Sequence, residues 1–412
     1  SSEDFGELNG LICGLFEDSA TENLGYECYR RCKGNLNFTP QNRTLKLLVR
    51  HLIRNKDWSL LLSFCDDLRS FGILPGKSLC VKLISSCVRG RKLNLAYSFL
   101  DVFLEIDEEI AIAGFDSALK GFNQLHMHRS SLNLFEKMKI IGLDLCPTSC
   151  SHVMEAYMRT KQYEKAVSVF EGFKDTEAPL SDSKIYWILC ECLGRMGRID
   201  EALDSFREMS KRGVAENHRF YSSLIGFHAN AGEVAKAVEL LREGESKRML
   251  KDPDLFFKLV VKCVDLGMTD RALDVVSTMR RANIRVSDCV FCTVVNGFRK
   301  KRGSKAAVKV FEEMVSQGHE PGQVTYSSIL SIYIRLGLYS NAESVFSEME
   351  KRGLDKSVFA YSSMVSAYAK AGRTGDALRL VARMKAEGCG PNVWTYNSLL
   401  ELYSRAADLK RL

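Results

Sequence analysis

Alanine returns along this chain at a nearly constant interval, and that interval limits the possible fold more than any other feature. The alanines open short apolar stretches at Ala96, Ala166, Ala202, Ala237, Ala272, Ala307, Ala342 and Ala377. The last six lie 35 residues apart, the step from Ala166 to Ala202 is 36, and the step from Ala96 to Ala166 is 70, with Ser131 at its midpoint. A fixed period in this range marks a stacked-repeat architecture. Taking the alanine as the twentieth place puts repeat starts at 42, 77, 112, 147, 183, 218, 253, 288, 323 and 358. A partial eleventh repeat occupies 393–412. The phrases QVTYSSILSIYIRLG (323–337) and VFAYSSMVSAYAKAG (358–372) are then the heads of two neighbouring repeats.

Each repeat reads as two helices. In 358–392 the first carries Tyr361, Met364, Val365 and Tyr368 on one stripe at helical spacing. A glycine ends it in five repeats (Gly197, Gly232, Gly267, Gly337 and Gly372), as a left-handed backbone requires. The second helix turns Ala377, Leu380, Val381 and Met384 inward, Gly388 closes it, and Pro391 stops it from continuing. One hairpin cannot bury both of its apolar faces, whereas stacked neighbours can. The expected fold is all-α, a right-handed α-solenoid of about ten to eleven 35-residue helix–turn–helix repeats with a concave inner surface. Residues 1–41, with helical stretches around Phe5–Phe16 and Asn23–Cys32, are expected to form a degenerate cap. Tyr326, Tyr333, Tyr361 and Tyr368 are assigned to the core rather than to ligand stacking.

Composition excludes several classes. Hydrophobic residues at 46% and charged residues at 26% are globular rather than disordered, and 7 prolines in 412 residues suit helices. A net charge of +7 permits a polyanionic partner without requiring one. The 14 cysteines lie irregularly in apolar runs, as Cys87 and Cys263 do, which suits small hydrophobes in a reducing compartment. Cys289 and Cys292, like Cys28 and Cys32, lack a second pair at ligand spacing, so no metal is expected. No apolar run approaches the ~20 residues of a membrane span. The chain opens on Ser1 rather than Met, so a targeting segment is expected to have been removed or left out. No nucleophile–base pair, P-loop or dinucleotide turn is present, and His51, His126, His128, His152, His218, His228 and His319 are scattered over different segments. The sequence therefore predicts a binding protein, neither an enzyme nor a cofactor carrier.

Tyr-(Ser/Asn)-Ser-(Leu/Ile) heads, alanine at the twentieth place and Gly-x-x-Pro at the end, on a 35-residue period, resemble the pentatricopeptide repeat family, specifically its plant-type class of pure repeats. VTYSSILSIYIRLG (324–337) and VWTYNSLLELYSRA (393–406) are the clearest matches, and the resemblance covers about 42–412. It implies an organellar protein that binds single-stranded RNA at one nucleotide per repeat. It further implies that the fifth and last side chains of a repeat choose the base. The second-place side chain would sandwich that base against its counterpart in the next repeat. On these positions Ser151 with Asp182 and Ser222 with Asp252 resemble guanine pairs, and Ser362 with Asn392 an adenine pair. Ser327 with Ser357 is a purine-like pair, and Asn397 would favour a pyrimidine. Lys46/Gly76, Val81/Ala111, Asp116/Cys146, Trp187/Asn217, Phe257/Ser287 and Cys292/Gly322 match no familiar pair. Val324, Phe359 and Trp394 would form the apolar sandwich.

Seven repeats carry a cation at the thirteenth place: Arg54, Arg89, Arg159, Arg195, Lys300, Arg335 and Lys370. Such a ladder suits phosphates. Cations near a helix C-terminus also favour the macrodipole and solubility. Two functional readings follow. The first is an RNA binder of the chloroplast, favoured over the mitochondrion, acting in RNA processing, stability, splicing or translation. The second is a structural subunit of an organellar ribosome or another ribonucleoprotein or polymerase assembly. A peptide-binding adaptor is a weaker third.

Overall fold

The computed structural model describes residues 2–18, 20–35, 38–174, 182–354 and 357–409, and every regular element among them is a helix. Residues 175–181, in the repeat read at 147–182, and 410–412, in the partial eleventh repeat, lie outside the described residues. The chain divides into two compact bodies, Ser1–Ala215 and Glu216–Leu412. The N-terminal body begins with α1 (Ser2–Glu17), α2 (Glu22–Cys32), α3 (Asn42–Asn55), α4 (Trp58–Phe71), α5 (Lys77–Arg89) and α6 (Leu93–Ile106). It continues with α7 (Glu108–Gln124), α8 (His128–Ile141), α9 (Pro147–Arg159), α10 (Tyr163–Lys174), α11 (Ser183–Arg195) and α12 (Ile199–Lys211). The C-terminal body begins with α13 (His218–Asn230), α14 (Val234–Ser246), α15 (Pro253–Asp265), α16 (Thr269–Arg281), α17 (Asp288–Arg302) and α18 (Ser304–Ser316). It ends with α19 (Gln323–Arg335), α20 (Tyr339–Lys351), α21 (Val358–Lys370), α22 (Thr374–Ala386) and α23 (Val393–Leu409).

Helix starts at 42, 77, 147, 183, 218, 253, 288, 323, 358 and 393 follow the alanine ruler. The third hairpin departs from it. α7 begins at Glu108 rather than 112, because the Asp107 carboxylate accepts a hydrogen bond from the Ile110 N–H at 3.0 Å. Glu108 and Glu109 add negative charge to that first turn, where the helix dipole favours it.

The turns explain why the repeat is easier to see in the second half of the sequence. The fifteenth place is left-handed throughout most of the chain, with φ of +81° at Gly197 and +69° at Gly372. In the first four repeats the same conformation is held by Lys56, Arg91, His126 and Lys161, with φ between 54° and 61°. An L-residue there costs roughly 1–2 kcal/mol, which those repeats sustain through their packing.

The alanine ruler is the core. Ala166, Ala202, Ala237, Ala272, Ala307, Ala342 and Ala377 are fully buried, as is Ser131, whose hydroxyl donates to Asn123 Oδ1 at 2.8 Å. First helices pack on one another in sequence, α3–α5–α7–α9–α11 in one body and α13–α15–α17–α19–α21–α23 in the other. They approach closely. A Cβ on Gly297 of α17 would stand 2.7 Å from Val264 Cγ2 of α15. Second helices meet each other mainly at α4–α6 and α14–α16. Within each body the first helices thus form the continuous row, which is the row that carries the fifth and thirteenth places. α1 packs on both α2 and α3. Asn9 ties it there, its Oδ1 accepting from the Gln41 N–H at 3.0 Å and the Thr44 hydroxyl at 2.7 Å.

Candidate nucleic-acid interface

On the first helices of the C-terminal body the fourth and eighth places are buried, as at Tyr326, Leu330, Tyr361 and Val365. The second place faces away from that stripe. Apolar side chains there have no core to enter: Val324 is 55% exposed, Phe359 53% and Trp394 75%. A single exposed apolar residue means little; here three share one register, although on α23 Val393, Tyr396, Leu400 and Tyr403 are exposed as well.

Between Phe359 and Trp394 lies an open groove of about 640 Å³. Ser362 and Asn392 line it together with Arg335 and Lys370. Six residues assigned to three separate roles in the sequence therefore meet at one place, formed by α19, α21 and the start of α23. The polar wall is built as follows. Asn392 precedes α23, and its Oδ1 accepts from the Thr395 N–H at 2.9 Å. The same oxygen stands 3.0 Å from the Thr395 hydroxyl and 3.2 Å from that of Ser362. Because a backbone N–H can only donate, the amide orientation is fixed with its oxygen toward the helix. The Asn392 NH2 group is left to donate outward. It suits an acceptor on a base edge, such as adenine N1. Thr395 was not singled out in the sequence. The hydroxyls at third places, Thr44, Ser149, Thr325 and Thr395, all buried, are the signal that would have pointed to it.

The last place of a repeat has a second duty. Asp182 caps α11 by accepting from the Lys184 N–H at 2.8 Å, and Asp252 caps α15 from the Asp254 N–H at 3.0 Å. Asn217 and Ser287 cap α13 and α17 in the same way. In both aspartates the cap occupies Oδ1, and Oδ2 carries no hydrogen bond among the described residues. That oxygen is acceptor-only and suits a donor such as guanine N1–H. Ser357 precedes α21 without a side-chain cap. The fifth-place partners differ. Ser222 and Ser327 are half-buried with unengaged hydroxyls among the described residues, and Asn397 is exposed. Ser151 is buried, and its hydroxyl donates to Thr148 O of its own helix at 2.9 Å. Ser362 is buried as well, its hydroxyl 2.8 Å from that of Thr395, so both of these serines are already engaged within the protein.

The cation ladder divides the same way. Arg54 is ion-paired with Glu22, and Arg195 with Glu191 at 2.7 Å. Arg89 donates to Ser85 O at 3.2 Å. Arg159, Lys300, Arg335 and Lys370 are exposed and make no ion pair among the described residues. At the second places of the N-terminal body, Arg43 is paired with Glu17 at 2.6 Å and Lys184 with Glu155 at 2.8 Å. Trp187 is half-buried, and Phe257 is 38% exposed.

All fourteen cysteines are free thiols. Burial pushes Cys80, Cys87 and Cys150 up to about 12. Cys289 is exposed and Cys292 buried, and no metal-holding group of three ligands occurs among the described residues. No helix among them is long and apolar enough to cross a membrane.

Comparison with known proteins finds two family models. The model described as a pentatricopeptide repeat domain matches residues 274–335 and 344–405. The model described as a PPR repeat matches 148–175, 191–214, 219–249 and 324–354. A chloroplastic pentatricopeptide repeat-containing protein of Arabidopsis thaliana is 39% identical over 325 residues, covering 78% of this chain and 52% of its own length. A putative pentatricopeptide repeat-containing protein of the same plant is 23% identical over 223 residues, 54% of this chain and 56% of the relative. The chain thus spans about half the length of the curated relatives it matches. Among solved structures, the pentatricopeptide repeat protein PPR10 from maize superposes with a TM-score of 0.50 at 20% identity, over 97% of this chain and 57% of that one. That likeness establishes a shared helical-repeat fold.

Proposed function

This chain belongs to the pentatricopeptide repeat family, and from that premise we propose that it binds single-stranded RNA in the chloroplast, one nucleotide per repeat, without chemistry of its own. The observation that carries the reading is the groove between Phe359 and Trp394. It offers two exposed aromatic faces for a base, a polar wall of Ser362 and Asn392 for its edge, and two exposed cations without an ion pair among the described residues for the backbone. Stacking on such faces is worth about 1–3 kcal/mol per base and tolerates any base, so the polar wall must supply the choice. The chloroplastic relative supports the compartment. Occupancy of a transcript segment would serve processing, stability, splicing or translation. Applying the family's parallel polarity to the repeats from 147 onward, the preferred segment reads 5′-G-N-G-N-N-A-A-pyrimidine-3′.

A second reading has its own support in the N-terminal body. There Arg43, Arg54, Lys184 and Arg195 are engaged by carboxylates rather than open to phosphate. This favours a scaffold role for those repeats within a ribonucleoprotein assembly. Selection of bound molecules from a randomised single-stranded RNA pool at near-physiological salt tests the first reading. Enrichment of the stated segment is expected, and binding without an enriched motif would favour the scaffold.

A further inference from the structure

Repeat 288–322 has no side chain at its last place, because Gly322 stands there. This glycine is not needed for its backbone, whose φ of −100° and ψ of −170° any residue adopts. Space is the reason. A Cβ on Gly322 would lie 2.5 Å from Cγ and 2.6 Å from Oδ2 of Asp288. The Asp288 carboxylate, reaching over from the first place of the same repeat, fills the volume that a last-place side chain would occupy. It also takes over the capping duty. Oδ1 accepts from the Gly322 N–H at 2.8 Å and the Thr325 N–H at 3.2 Å, and Oδ2 from the Val324 N–H at 2.8 Å. The fifth-place Cys292 is close enough to feel it: burial first, then the charge of Asp288, pushes that thiol up. Asp288 is half-exposed, and one lone pair of Oδ2 remains unused among the described residues.

The geometry points to Asp288, rather than Gly322, as the base-selecting group of repeat 288–322, giving that repeat a preference for guanine or uracil. This rests on the proposed reading of RNA by the repeats. An ionised carboxylate only accepts hydrogen bonds, so it favours a base whose central Watson–Crick atom is an N–H donor. Guanine N1 and uracil N3 are donors; adenine N1 and cytosine N3 are acceptors and face the carboxylate with like polarity. The fifth nucleotide of the segment above, otherwise undetermined, becomes guanine or uracil.

The test is pool selection on three forms of the chain: the parent, Asp288→Asn, and the exchange Asp288→Gly with Gly322→Asp. Asparagine retains an acceptor for the Gly322 and Thr325 N–H groups, gives up the bond from the Val324 N–H, and puts a donor toward the base. The exchange returns the carboxylate to the ordinary last place. In the parent, guanine plus uracil should exceed adenine plus cytosine at one column by about tenfold, the scale of one hydrogen bond to a charged group. That bias should fall several-fold in Asp288→Asn and return in the exchange, with the other columns unchanged. An unbiased column, or one unaltered by Asp288→Asn while the neighbouring columns keep their motif, overturns the role of Asp288 and leaves the general reading standing. Loss of every column in the parent overturns both.

Discussion

Lys161 holds a left-handed turn with φ of +61° where later repeats have glycine, and its exposed side chain has no partner among the described residues. Lys161→Gly should therefore stabilise the N-terminal body by about 1 kcal/mol, part of the left-handed penalty being offset by the greater freedom of glycine when unfolded. A higher midpoint in urea with an unchanged slope is the expected reading, and a lower midpoint would show that the turn is not strained. Trp394 makes the opposite case, because its exposed ring contributes little to the fold. Trp394→Ala should leave the melting temperature within experimental error yet weaken RNA binding by about 1–3 kcal/mol, measured by fluorescence anisotropy. At this scale the sequence was informative wherever a residue repeats its place. It was silent where a neighbour intervenes: nothing in Ser151 announces a hydroxyl already given to Thr148 O, and nothing in Arg54 announces Glu22.

Helices are the scale at which the chain was most legible. A period set by buried alanines carries helix boundaries with it, since turn glycines and caps keep a fixed distance from the core. The one shifted start, α7, came from Asp107, a strong local cap that overrides the period. The alanines also set how near paired helices lie. Ala272 is fully buried at the start of α16, so Ala272→Leu forces three more carbons into a filled contact. It should cost about 1–3 kcal/mol, read as a lower unfolding midpoint of the C-terminal body. If the midpoint is unchanged, the hairpin spacing does not depend on that alanine. The division into bodies after Ala215 had no counterpart in the sequence pattern, because the period runs through 215 without interruption.

For the molecule as a whole, binding of a polyanion is counted in released counterions. Each phosphate neutralised on a single strand contributes about 0.7 to the slope of log K against log salt. Replacing Arg335 and Lys370 together by glutamine should flatten that slope by about 1.4 without changing the enriched motif, because phosphate contacts carry no base information. The same pair of changes at Arg54 and Arg195 should alter the slope much less, since carboxylates already neutralise those two. Equal effects from the two pairs would mean that the ion pairs open on binding. One feature also bounds how such a chain can be rewritten. The group that closes a repeat also starts the next helix, as Asp182, Asp252 and Asn392 do. Its vocabulary is therefore weighted toward side chains able to cap, such as aspartate, asparagine and serine, and it departs from them where another residue starts the helix, as Asp107 does ahead of Ala111. An engineer seeking a new target can substitute freely among these. A longer or apolar side chain at Asp182, Asp252 or Asn392 would give up the cap of the following helix as it gained a new letter.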